Sequence, residues 1–102
     1  MDCGLTDKQL QEIVIVLKRY PQIREALIFG SRAMGNYKEG SDIDIALKGN
    51  VSAPDAATVK DELEEETFLP FFFDVLSYNA ISNEKLKEHI DVHGWKFYIE
   101  EI

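Results

Sequence analysis

The chain has 102 residues, 45% hydrophobic and 29% charged, which is the size and composition of one globular domain and argues against disorder and against a second, substrate-binding lobe. Nineteen acidic residues against eleven basic ones leave a formal net charge of −8, a field that repels a polynucleotide backbone and disfavours nucleic acid as the main ligand.

The N-terminal "MDCGLTDKQL" has neither the basic stretch nor the long apolar core of a leader, and its Cys3 lacks an intrachain disulfide partner. No apolar run approaches the roughly 18 residues of a spanning helix, so a cytoplasmic protein is expected. A helix is predicted from Asp7 to Tyr20, because Leu10, Ile13, Val14 and Leu17 recur on one face. Thr6 with Gln9 forms a capping box, Leu5 and Leu10 fit a hydrophobic staple, and Pro21 marks the stop. "EALIF", Glu25 to Phe29, reads as a buried strand emptying at Gly30 into a tight turn. Ser31 to Tyr37 can make one or two helical turns, and a second strand is expected from Ser41 to Lys48. On it Ile43, Ile45 and Leu47 share one face while Asp42, Asp44 and Ala46 share the other.

Pro54 then suits a helix start, with Ala56, Val59 and Leu63 as its apolar stripe and Asp61, Glu62, Glu64, Glu65 and Glu66 as a solvated acidic face. "LPFFFDVLSY", Leu69 to Tyr78, reads as a third strand with Asp74 as its one charge. Ser82 is expected to cap a helix carrying Leu86, Ile90 and His93, with Gly94 at its end. The tail "WKFYIEEI" fits either a strand or a further helical turn. Together these elements predict an α/β layer fold, with about three strands covered mainly on one face.

The chemistry concentrates in Phe29 to Leu47, "FGSRAMGNYKEGSDIDIAL". Asp42 and Asp44 leave one face of a strand with Cα atoms about 6 to 7 Å apart, and Asp74 joins them if the third strand pairs with the second. A D-x-D on the solvent face of an edge strand is common and by itself says little. Three converging carboxylates, however, raise each other's pKa unless a cation sits among them. Mg²⁺ fits such a site, since it takes a few carboxylates and bridges substrate phosphates, and two ions can clamp an in-line displacement at phosphorus. The Gly30-Ser31 pair, between a strand and a helix, is a candidate anion cradle: glycine permits close approach, and Ser31 can cap the helix and donate to a phosphate. Bound cations would reconcile an acidic protein with a polyanionic nucleotide. Arg32 and Lys38 are candidate phosphate contacts, or solvated surface cations.

These residues resemble the G-S-x10-D-x-D signature of the DNA polymerase β-like nucleotidyltransferase superfamily, with Gly30-Ser31, ten residues, then Asp42-Ile43-Asp44. "FFFDVL" resembles its third-carboxylate strand, at Asp74, and the short length and "LKEHIDVHGWKFY" are similar to the minimal nucleotidyltransferases, the MNT proteins. The resemblance spans roughly residues 6 to 99. It implies a single minimal nucleotidyltransferase domain over residues 1–102, with a small mixed sheet of about three strands and flanking helices. It further implies ATP with its phosphates at Gly30, Ser31 and Arg32, Mg²⁺, in two ions, on Asp42, Asp44 and Asp74, and Asp74 as the acid that helps deprotonate the acceptor.

A single domain has room for the nucleotide only, so another chain must supply the acceptor. The resemblance implies a HEPN-domain toxin modified with AMP on a tyrosine, in a hetero-oligomer or alongside self-association. Transfer to a small hydroxylated molecule, of aminoglycoside type, and a non-catalytic binding antitoxin are the alternatives. Elsewhere His89 and His93, four apart, read as a surface or core pair without a third zinc ligand. Trp95, Phe97 and Tyr98 read as core or interface.

Overall fold

The computed structural model describes residues 3–100. Thr6 accepts the Gln9 N–H and Gln9 returns a bond to the Thr6 N–H, closing the expected capping box on α1, Asp7–Leu17. The helix stops three residues earlier than the pattern implied, and turns ending at Tyr20 carry the chain into β1, Ile23–Phe29. A four-residue helix follows, α2, Ser31–Met34, and then β2, Ile43–Gly49. Ser52 caps α3, Ala53–Glu65, whose first turn contains Pro54. β3 is Phe73–Ser77, α4 is Glu84–His93 and β4 is Trp95–Ile99. The cap of α4 is Asn83, which accepts from the Lys85 and Leu86 N–H groups, rather than Ser82.

The tail at Trp95 resolves as a strand, so the sheet has four strands rather than about three, in the order β3-β2-β1-β4. β1 pairs antiparallel with β2 and with β4, while β2 and β3 run parallel across the α3 crossover. One face carries the main core: Ile43, Ile45 and Leu47 of β2 and Val75 of β3 pack with Ile13 and Leu17 of α1 and Val59 and Leu63 of α3. The other face is covered over part of its area, where Ile90 of α4 meets Leu27, Phe29 and Ala46. This partial second cover agrees with a sheet covered mainly on one face, and it ends beside the aspartates. Ala46 is fully buried under α4, whereas Asp44, two residues earlier on the same face, is only partly buried.

Two of the acids on α3 bind the fold rather than face solvent alone. Glu62 accepts from Arg19 at 3.0 Å and from the Tyr20 hydroxyl at 3.2 Å. Glu64 accepts the Phe73 N–H at 2.8 Å, which fixes the start of β3 and holds this carboxyl below its ordinary pKa. No helix among the described residues is long and apolar enough to cross a membrane.

Candidate active site

Strand register brings the carboxylates together. Asp44 lies directly beside Asp74 across the parallel β2/β3 pair, and Phe29, the last residue of β1, lies beside Asp44 on the other side. Register partners point to the same face of a sheet, about 5 Å apart between strands. Asp42 immediately precedes β2, and it is exposed. Asp74 is also exposed, on an edge strand, so it faces solvent and shares the Asp44 face at once.

The turn after β1 abuts this row. Gly30 stands at φ 73°, ψ −151°, a region open in practice to glycine. A Cβ there would lie 2.2 Å from Oδ2 of Asp44, so the backbone passes against the carboxylate as only glycine allows. Gly30 itself is the cap residue of α2, and Ser31 is the first helical residue rather than its cap. The Gly30 N–H donates to Nε2 of His89 at 3.0 Å. Sequence reasoning missed that role, because the contact joins positions 59 apart in the chain and no local pattern announces it.

Arg32 departs from one of the two expectations for it. It is 2% exposed, so it is no solvated cation, and its guanidinium is spent on the protein's own carbonyls. Nε and Nη2 donate to Ser41 O at 3.2 and 2.8 Å, and Nη1 donates to Cys3 O at 2.9 Å. The rings of Tyr37 and Phe71 flank it at 5.1 and 5.0 Å. Arg32 therefore clamps the peptide that precedes Asp42 to the helix that follows Gly30. These contacts give Arg32 a structural role beside the turn. Lys38 is exposed.

The row is electrostatically strained. Burial first, then the charges of Asp74 and Asp42, push the Asp44 carboxyl up to about 6, and the Arg32 charge opposes them. Burial and like charges both disfavour the ionised carboxylate, and a cation beside it would offset both. Among the described residues no three Asp, Glu, His or Cys side chains converge into a ready metal cage. The donor set still fits Mg²⁺, which typically takes one or two carboxylates and completes its shell with water and substrate phosphates.

The other sequence candidates lie apart from this centre. His93 is exposed and its ring stacks at a tilt on His89, with centroids 5.4 Å apart. Phe97 and Tyr98 line a groove of about 820 Å³ between the end of α1 and β4, the sheet edge opposite the strand that carries Asp74.

Comparison with known proteins gives the site its context. Residues 11–101 match the family described as polymerase beta, nucleotidyltransferase. No curated protein matches the sequence. Among solved structures, a toxin-antitoxin with AMP-PNP superposes with a TM-score of 0.74 at 19% identity, over 90% of this chain and 74% of that one. The toxin-antitoxin MntA-HepT gives a TM-score of 0.71 at 16% identity, over 93% and 74%. A protein of Sulfolobus solfataricus described as a nucleotidyltransferase gives 0.56 at 24% identity, over 91% and 82%. At these identities the likeness shows the shared fold. The family match, extending through the Gly-Ser turn and all three aspartates, shows that this chain belongs to the polymerase β nucleotidyltransferase family.

Proposed function

We propose that the protein is a Mg²⁺-dependent nucleotidyltransferase that moves AMP from ATP to a tyrosine hydroxyl of a partner HEPN-domain toxin, and so acts as its antitoxin. The observation that carries this reading is the junction of Gly30 with Asp44 and, in register beside it, Asp74. An anion-compatible turn and a row of strained carboxylates meet there, the two halves that a phosphate-transfer site requires. The toxin-antitoxin neighbours, one with AMP-PNP, support an adenine nucleotide and a protein partner.

In this reading Gly30 and Ser31 hold the triphosphate, while Asp42 and Asp44, with Asp74 beside them, hold the cations. Bound Mg²⁺ would neutralise the phosphates and the charge that develops on the leaving group. Asp74, exposed at the sheet edge, is open to an incoming hydroxyl and takes its proton. The acceptor oxygen forms a bond to the α-phosphorus, the bond to the bridging oxygen breaks, and pyrophosphate leaves with that electron pair. The protein's share is positioning and charge compensation. The open site leaves one side for an acceptor carried by another chain.

Purified protein, mixed with the product of the adjacent gene, labelled ATP and Mg²⁺, is expected to add one AMP mass to that partner. The Asp42→Asn/Asp44→Asn variant is expected to transfer at least about 10³-fold more slowly. Absence of transfer by wild type, or equal transfer by the variant, would sink the reading. Toxin neutralisation that survives loss of the aspartates would favour occlusion without catalysis instead.

A further inference from the structure

His89 lies on α4, an element that the transfer described above does not use, yet its imidazole reaches the nucleotide turn. Because Nε2 accepts the Gly30 N–H at 3.0 Å, the ring is the neutral tautomer with its proton on Nδ1. The ring is held from both sides. Phe29 meets it edge-on at 6.3 Å and His93 at a tilt at 5.4 Å. Its neighbour Ile90 is fully buried and anchors this part of α4 on the sheet. Gly30 is thereby trapped between an imidazole at its N–H and the Asp44 carboxylate at its Cα. No side-chain cap steadies α2 at this end; the Gly30 carbonyl accepts the Met34 N–H at 3.1 Å within the segment, while its N–H is held from outside by His89.

We propose that His89 is a positioning residue of the transfer reaction: by accepting the Gly30 N–H it fixes the turn in the orientation that receives the triphosphate. The inference rests on the reading that the nucleotide lies at Gly30-Ser31, and deepens it by coupling α4 to that site. His89 acts through Gly30 and touches no reacting atom. Its loss is therefore expected to weaken nucleotide binding more than the chemical step, since a turn held in place grips the phosphates in the ground state and the transition state alike.

The test compares three substitutions. His89→Ala removes ring and acceptor, His89→Phe keeps a ring without an acceptor, and His89→Gln places Oε1 where Nε2 stood. In nucleotide-free protein, exchange of the Gly30 amide followed by NMR is expected to accelerate roughly tenfold in the Ala and Phe variants and to stay protected in Gln. With ATP and Mg²⁺, KM for ATP is expected to rise roughly tenfold in Ala and Phe, with kcat within about threefold of wild type and Gln largely restored. If the Ala variant fails to fold, the Phe and Gln pair decides alone. Phe matching wild type, or Gln behaving like Phe, would overturn the assignment. A wild type that shows the exchange pattern but transfers no AMP would sink the transfer reading and leave the Gly30 contact standing. Normal transfer with no difference among the variants would sink the His89 role alone.

Discussion

The Gly30 turn and the carboxylate row touch at one place, Gly30 against Asp44, yet they are held in opposite ways. At the turn the Gly30 N–H is bonded to His89, and the Arg32 guanidinium has two carbonyls and two aromatic faces. Along the row Asp42 and Asp74 are exposed, and the Asp44 carboxyl is pushed up by burial and by these two charges. The difference teaches where the protein spends its stability. The turn is braced by the protein's own groups, while the carboxylate row keeps an unbalanced charge.

The sharpest way to break that comparison is at Arg32. Arg32→Ala leaves the Ser41 and Cys3 carbonyls without a cationic donor in a buried place and is expected to cost roughly 3 kcal/mol or more, read by denaturant unfolding. Arg32→Lys keeps the charge but not the fork, and is expected to recover less than half of that loss. Wild-type stability in either variant, with only nucleotide binding lost, would return Arg32 to the role of phosphate ligand.

Gly30→Ala probes the contact between the halves. A side chain at φ 73° is strained, and this one would also collide with Asp44, so a loss of about 2 kcal/mol is expected, together with loss of nucleotide binding. Unchanged melting would contradict the tight approach of turn and row.

The row itself is expected to show a pH signature in the absence of divalent cations. Asp44 titrates near 6 in the fold against 3.8 unfolded, so between these values the folded state binds more protons. Stability therefore falls as pH rises through that window, by about 1 kcal/mol once solvent screening of a half-exposed group is allowed for. Asp44→Asn is expected to flatten this slope, and Mg²⁺ to restore stability above pH 6. A slope that persists in Asp44→Asn would place its origin elsewhere. Lys38→Ala, at the exposed end of the comparison, is expected to change stability by less than about 0.5 kcal/mol.

Much of this was legible in the chain itself, for identifiable reasons. The Thr6–Gln9 capping box, the proline that opens α3, β-alternation around Asp42 and Asp44, and the glycine that ends β1 are local signals, and they located α1, α3, β1 and β2. Contacts between distant segments were not legible. β4 was ambiguous because its pairing with β1 is made across most of the chain. Arg32 reads as a phosphate contact or a surface cation, and nothing local announces that Tyr37, Phe71 and Ser41 close around it; His89 reads as half of a histidine pair until α4 docks on Gly30. Glu64 looked solvated because its partner is a backbone N–H nine residues away, which no charge pattern encodes.

The central claim is that cations join the carboxylate row to phosphates held at the Gly30 turn. Calorimetric titration of the wild type with a non-hydrolysable ATP analogue, with Mg²⁺ and then with a chelator, tests it most directly. The account predicts that affinity falls by at least about 100-fold on chelation, and that the Asp42→Asn/Asp44→Asn variant shows no such Mg²⁺ dependence. Equal affinity with and without Mg²⁺ in the wild type would contradict it.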